Sequence, residues 1–266
     1  MGRLTAQEKQ FYKDNGYIKL SNIFTEEEMD EICTEYERIF TLKNNPGMEA
    51  AWEGNDVKKL AKDNQISVHS VHNLQYHSAV FSIALHNKNL LDALEDIMET
   101  PNILLHHTKA HDKPPGRGAP YPMHQDYHYF PFKKHSMVAA FLHVDDSTPE
   151  NGGLCVYPGS HKLGPLEDHG VVTETQAYHY VDPKKYPVEK ATPICGKRGD
   201  IVVFSYLLLH GSYLNLSDRH RRMFLIQLMS AEDEPVSDIH KSLGQGWVLR
   251  GRNDHRRATM AERFLH

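Results

Sequence analysis

The sequence predicts a mainly β fold, an antiparallel sandwich or jelly roll preceded by helices. Three observations carry this. Short apolar segments punctuated by Gly, Pro, Asn and Asp run from about residue 103 to 228. Helical periodicity and capping signals fall in the first hundred residues, and no internal repeat or low-complexity tract competes.

In chain order, residues 5–15 read as a short helix stopped by Gly16, after which Tyr17-Ile18-Lys19-Leu20 alternates as a strand. Thr25-Glu26-Glu27-Glu28 is a capping box, because a Glu at the third helical position can reach back to the Thr backbone. The helix it opens runs to about Leu42, with Ile23, Met29, Ile32 and Ile39 as a buried stripe. Residues 44–63, containing Pro46, Gly47 and Gly54, read as an irregular excursion. Residues 78–100 read as an amphipathic helix broken near His86. Strands are expected near 103–110, 124–130, 137–144, 154–157, 200–204, 207–212 and 222–228.

The β region holds the chemistry. Met123-His124-Gln125-Asp126-Tyr127-His128 is answered 86 residues after His124 by His210, and 11 residues later by Arg221. Residues i and i+2 of a strand point the same way, so His124 and Asp126 share a face. With one distant His they can occupy one face of an octahedral metal and leave three positions open, as in non-haem Fe(II) oxygenases. Arg221 adds a planar, always-charged fork that pairs with a carboxylate. Together the four residues point to an iron- and 2-oxoglutarate-dependent oxygenase.

With 19 histidines in the chain, one His-x-Asp match is expected by chance, so the surroundings matter. His106, His107, His111, His128, His135, His143 and His161 read as mostly structural, His161 in a turn. Arg222 points to the face opposite Arg221 and reads as a solvated or ion-paired position. Lys113, Arg117, Lys133 and Lys134 flank the motif, either as solvated loop charges or as contacts for an anionic substrate.

The motif sits in an ordered series. Lys113-Pro114-Pro115-Gly116 precedes it and Phe130-Pro131-Phe132 follows. Then come Asn151-Gly152-Gly153-Leu154, Tyr157-Pro158-Gly159-Ser160-His161-Lys162, Gly199-Asp200 with an apolar run, and His210-Gly211-Ser212 with Asn215, Ser217, Arg221 and Arg222. This series resembles the phytanoyl-CoA dioxygenase family from Leu4 to about Ala231, most densely between Lys113 and Arg222. The stretch His-Gln-Asp-x-His-Tyr-Phe-Pro-Phe is similar to the phytanoyl-CoA hydroxylase branch itself.

The resemblance implies a double-stranded β-helix (jelly roll, cupin-like) in which the His-x-Asp strand and the later His strand lie on facing sheets. It implies iron ligation by His124, Asp126 and His210, and capture of the distal 2-oxoglutarate carboxylate by Arg221 with help from Ser212. Lys109 falls where a residue lining the co-substrate pocket is expected, and Asn215 where the branch has a functionally sensitive Asn. The expected cofactors are Fe(2+), 2-oxoglutarate as co-substrate and O2, with ascorbate as a stimulant. The reaction is hydroxylation of an unactivated C–H bond, coupled to conversion of 2-oxoglutarate to succinate. A Gly or Ala in place of Asp126 would open a position for halide, so Asp126 favours hydroxylation over halogenation. The sequence departs from the branch at Leu142, where a tryptophan stands beside the co-substrate.

Three functions stay open: hydroxylation at C2 of a fatty acyl-CoA; the same mechanism on a small polar metabolite or natural product; and a metal- or 2-oxoglutarate-binding protein without turnover, or a zinc hydrolase. Arg221 argues against the hydrolase.

The 266 residues are expected to form one domain, with a helical region 1–100 packing on a β core 101–232 and a C-terminal extension 233–266. A net charge of −5 with both signs interspersed gives no nucleic-acid footprint, and no stretch reaches the roughly 20 apolar residues of a membrane span. The expected partner is a small-molecule substrate, and oligomeric state is left open. Cys33, Cys155 and Cys195 are odd in number and form no Cys-x-x-Cys pair, which favours a reducing compartment. Cytoplasm is the expectation. A peroxisomal location stays open: the C-terminus Arg263-Phe264-Leu265-His266 is not of the Ser-Lys-Leu type, and Arg3-Leu4 with Gln10-Phe11 fits an opening helix better than an N-terminal address. Substrate selectivity is expected from loops in 44–77, 157–187 and 241–266.

Overall fold

A computed structural model of the chain describes residues 3–42, 48–50, 69–116, 118–172, 177–236 and 242–253. Helix α1 (Ala6–Asn15) starts at Thr5, whose hydroxyl accepts the Glu8 N–H while the Glu8 carboxylate accepts the Thr5 N–H. It stops at Gly16, at φ +78°, where a Cβ would lie 2.4 Å from the His161 ring. The stop is thus required both by backbone conformation and by space. Strand β1 (Tyr17–Leu20) follows at once. Helix α2 (Glu26–Thr41) repeats the capping box at Thr25 and Glu28 and buries Met29, Ile32, Tyr36 and Ile39, spaced to form one stripe.

Within the segment expected to be irregular, β2 (Met48–Ala50) pairs antiparallel with β3 (His69–His72); the rest of 44–63 lies outside the described residues. The predicted break near His86 separates α3 (Ala79–Leu85) from α4 (Lys88–Met98), which Asn87 caps by accepting the Leu90 N–H.

The remaining strands are β4 (Ile103–Lys113), β5 (Tyr121–His124), β6 (Val138–His143), β7 (Leu154–Val156), β8 (Val171–Val172), β9 (Ala177–Tyr178), β10 (Thr192–Pro193), β11 (Ile201–Ser205), β12 (His210–Ser212), β13 (Arg221–Ser230) and β14 (Trp247–Arg250). The larger sheet runs β1-β11-β6-β13-β4-β3-β2, with β14 also on β4; the smaller runs β10-β7-β12-β5; β8 and β9 form a hairpin. All pairings are antiparallel, the jelly-roll pattern expected. Trp247 therefore belongs to the edge of the larger sheet, half-buried, with its ring 5.6 Å from that of His86.

Period-two alternation explains why the central strands are apolar throughout. Ala140, Leu142, Ile201, Val203, Phe224 and Ile226 pack outward against the helices, in one cluster with Met29, Ile32 and Phe81. Ala139, Phe141, Val202, Phe204 and Met223 pack inward against Leu154 and Val156 of the smaller sheet. Both faces are covered, so a polar residue on the inward face stands out. Leu142 packs outward, and the departure noted at that position does not touch the pocket. A bulge at His106, where Gln227 pairs with His107 but Leu228 pairs with Leu105, shifts the register of the following residues by one.

Phe224 is fully buried where the helices meet the sheet, its ring 5.0 Å from that of Phe81. Phe224→Ala should lower stability by about 3–5 kcal/mol, read as a reduced urea midpoint with an unchanged slope.

Candidate active site

His124 ends β5 and His210 begins β12, and the two are register partners in the smaller sheet. This corrects the expectation of facing sheets: the histidines are neighbours across one antiparallel ladder, with ring centroids 4.2 Å apart. It also corrects the predicted strand 124–130, which stops at His124. Gln125 remains extended (φ −115°, ψ 136°), so Asp126 still returns to the His124 face before the chain turns through a 3-10 segment, Asp126–His128. The predicted strand 207–212 shrinks likewise to His210–Ser212. Gln125 points the other way and is fully buried. Its Nε2 donates to the carbonyls of Leu207 (2.6 Å) and Gly164 (3.0 Å), and its Oε1 accepts the Leu166 N–H (2.8 Å).

The imidazole tautomers follow from the backbone. His124 Nδ1 lies 2.9 Å from the Pro122 carbonyl and His210 Nδ1 lies 2.9 Å from the Leu208 carbonyl. A carbonyl only accepts, so each Nδ1 carries the hydrogen and each Nε2 presents a lone pair. Those Nε2 atoms lie 3.7 and 3.5 Å from Asp126 Oδ1, and the donor atoms of all three residues fall within 4.8 Å of one another. These spacings are too long for hydrogen bonds. Bonds of about 2.1 Å to a shared octahedral ion give edges of about 3 Å, so small side-chain movements close the set onto a cation. Among the described residues no other His, Cys, Asp or Glu group converges in this way.

Burial holds both imidazoles neutral, His124 down to about 3, with His210 adding to the effect, and His210 down to about 4. Burial raises the Asp126 pKa, opposed by His124, the Gln227 amide and Lys109. Gln227 is fully buried on the inward face of β13, and its amide approaches Asp126 without completing a hydrogen bond. Two lone pairs, one carboxylate and an unsatisfied amide fit a divalent cation better than they fit an empty core.

Arg221 opens β13 on the same inward face and is 2% exposed. Its Nε and Nη2 both donate to the Gly152 carbonyl, at 3.0 and 2.7 Å, and the guanidinium lies over the Phe141 ring, 5.7 Å from its centroid. No acid among the described residues pairs with it. Asp112 and Asp145, which act on it through space, are themselves bound to His220 and Arg222. Burial lowers its pKa only to about 10, so it stays charged. Arg222 faces outward to Asp145 and Glu37, as alternation requires.

Other expected residues fall in different places. Ser212 lies two residues beyond His210 on β12 and accepts a hydrogen bond from Lys113. Lys113 is not a solvated loop charge: it ends β4 opposite Arg221 and is fully buried. Lys109 shares the inward face with Lys113 but pairs in register with Leu225, nearer Asp126 than the Arg221 end. Lys133 and Lys134 are exposed, Lys133 paired with Glu234, and Arg117 lies outside the described residues. Asn215 does not enter the site. Its Nδ2 donates to the carbonyls of Lys113, Pro114 and Arg219, knotting the ends of β4 and β13 together.

Beside the triad stands a group with no sequence motif. Tyr129 is edge-on to His124 (6.3 Å) and to His179 (4.4 Å), and His179 Nδ1 is 2.6 Å from Asp168 Oδ2. The one signal in the sequence was the aromatic flanking of His179 by Tyr178 and Tyr180.

A jelly roll with these residues in these places is the framework of the Fe(II)- and 2-oxoglutarate-dependent oxygenases. The chain belongs to the phytanoyl-CoA dioxygenase (PhyH) family, which it matches over residues 12–223. It is 29% identical over 285 residues to the peroxisomal phytanoyl-CoA dioxygenase of Bos taurus, covering 94% of this chain and 82% of that protein. It is 27% identical over 240 residues to a probable alpha-ketoglutarate-dependent hypophosphite dioxygenase of Stutzerimonas stutzeri, covering 87% and 80%. The epimerase SnoN, solved in complex with Fe3+, alpha ketoglutarate and nogalamycin RO, shares the fold at 16% identity with a TM-score of 0.69, covering 93% of this chain and 96% of that one.

Two measurements test the geometry. A Cβ on Gly211 would lie 2.7 Å from the Tyr121 carbonyl and 2.9 Å from Met123 Sδ, so alanine there must push β12 away from β5. Gly211→Ala should keep its circular dichroism yet lose about tenfold or more in Mn(II) affinity; unchanged affinity would mean that the strand spacing does not set the triad. His143 is fully buried with neither ring nitrogen paired, and burial lowers it from the ordinary 6.5 to about 4. Below that ordinary value the unfolded chain takes up a proton the folded ring refuses, so stability complete above about pH 6.5 is lost as pH falls towards 4. The unfolding midpoint should drop across that window, and drop less in His143→Leu; parallel curves would dismiss the assignment.

Proposed function

We propose that the protein is a hydroxylase using Fe(II), 2-oxoglutarate and O2, in which His124, Asp126 and His210 hold the iron and Arg221 with Ser212 receives the distal carboxylate of 2-oxoglutarate. The observation that carries this reading is the buried Arg221 guanidinium, which no acid among the described residues neutralises. It is connected through Lys113 and Ser212 to the strand bearing His210. An uncompensated buried charge is strongly unfavourable, and a dicarboxylate whose keto-acid end meets the triad supplies the missing negative charge.

Iron and co-substrate together supply the oxidising power for an unactivated C–H bond. The chain's own residues orient them. Two neutral imidazoles offer lone pairs, Asp126 brings one negative charge, and Arg221 fixes the direction in which the co-substrate lies. Phe204, its ring 4.7 Å from that of His210, and Phe141, beneath Arg221, line the space with apolar surface and keep water from the charges.

For the substrate, C2 of a fatty acyl-CoA is the first reading, supported by the likeness to the Bos taurus protein and by the His124 to Phe132 stretch. A small polar metabolite is the second. The Asp168–His179 pair beside Tyr129 supports it, as does the relative named for hypophosphite at nearly equal identity. A role without turnover leaves the complete triad unexplained. Three free cysteines, Cys33, Cys155 and Cys195, support a reducing compartment such as the cytoplasm.

The test is succinate release by anaerobically purified protein given Fe(II), ascorbate, 2-oxoglutarate and air. His124→Ala should abolish release, and Arg221→Ala should raise the 2-oxoglutarate KM roughly 100-fold, equivalent to about 2.7 kcal/mol. Stimulation by phytanoyl-CoA against a panel of polar metabolites separates the two substrate readings. A wild-type KM in Arg221→Ala would remove the carboxylate assignment, and absence of 2-oxoglutarate binding would remove the whole reading.

A further inference from the structure

Lys113 occupies a position that lysine rarely takes. The side chain normally carries its ammonium to solvent, yet here it is wholly buried at the inner end of β4. Its Nζ donates to Ser212 Oγ (2.6 Å) and to the Tyr213 carbonyl (2.6 Å), and lies 5.4 Å from the centroid of the Tyr121 ring. No acid among the described residues pairs with it. The channel it fills is kept open by two glycines. A Cβ on Gly118 would lie 2.6 Å from Lys113 Cβ, and one on Gly152 would lie 3.0 Å from Lys113 Cδ. Gly152 is also the residue whose carbonyl holds Arg221.

Donation from Lys113 has a consequence for Ser212. With a lone pair of Oγ engaged by the amine, the Ser212 hydrogen has to point elsewhere, and no protein acceptor among the described residues takes it. Ser212 stands two residues from His210 on one strand, so its hydroxyl faces the same cavity. Burial, and after it the Arg221 charge, holds the Lys113 pKa well below the usual lysine range.

We propose that Lys113 is a positioning residue for the co-substrate, fixing the Ser212 hydroxyl with its hydrogen aimed at the carboxylate that Arg221 receives. This rests on the proposed 2-oxoglutarate site and adds to it a residue that never touches the ligand. The lysine acts through the serine, so removing either one should have the same effect.

The test is calorimetric titration of the Mn(II)-loaded protein with 2-oxoglutarate and with 2-oxopentanoate, which keeps the keto-acid end but lacks the distal carboxylate. Lys113→Met and Ser212→Ala should each weaken 2-oxoglutarate about tenfold and leave 2-oxopentanoate unchanged. The double variant should be no weaker than either single one. Ser212→Ala leaves the buried amine in place, so it tests the claim even if Lys113→Met fails to fold. The proposal is overturned if Ser212→Ala binds 2-oxoglutarate as the wild type does, if the two effects add in full, or if both keto acids weaken equally. Failure of the wild type to bind 2-oxoglutarate would instead remove the underlying site.

Discussion

One antiparallel register, His210 opposite His124, governs the site. β12 is the inner strand between β5 and β7, so His210 is held from both sides, and Gly211 lets the chains approach closely enough for two imidazoles to share one point. Asp126 joins them because Gln125 stays extended, and Gln125 does so because three hydrogen bonds hold its amide to the segments around Gly164 and Leu207. Donor geometry here is a property of strand pairing and of one buried amide, before any metal is considered.

The opposite end of the cavity is built against the ordinary preferences of a core. Arg221 and Lys113 sit side by side between apolar layers with carbonyls and a hydroxyl for company and no carboxylate among the described residues. A buried guanidinium and a buried amine in that state destabilise a fold, and the surrounding structure offsets this with Asn215, which ties together the chain ends that carry them. Ligand affinity and fold stability therefore pull in opposite directions at these positions, as is common where a site is prepared in advance.

Much of this was legible in the sequence, for identifiable reasons. Thr25 and Glu28 announce their capping box locally and α2 begins there; Thr5 and Glu8 form the same box at α1, a helix the sequence marked by its stop at Gly16. The triad was legible because an i, i+2 relation survives any extended backbone, strand or not. Strand order has no such local signature, and the two histidine strands are neighbours where facing sheets were expected. Lys113 precedes Pro114-Pro115-Gly116 and so reads as loop, but counting alternate residues from Lys109 places it on the inward face. Alternation likewise decides that Leu142 faces the helices. The Asp168–His179 pair brings together residues 11 apart around a hairpin and belongs to no motif, so only the folded chain reveals it.

The two halves of the cavity differ in how replaceable their supports are. The hydrogen on each imidazole is set by the carbonyls of Pro122 and Leu208, groups that every amino acid possesses, so exchanging those neighbours leaves the lone pairs aimed as before. At the other end the supports are side chains, or the lack of one: a lysine, a serine, an asparagine and the bare α-carbon of Gly152. Exchanges at Pro122 and Leu208 therefore meet little resistance, whereas exchanges beside the guanidinium have immediate consequences, which makes the second region the more informative one to read when two such chains are compared.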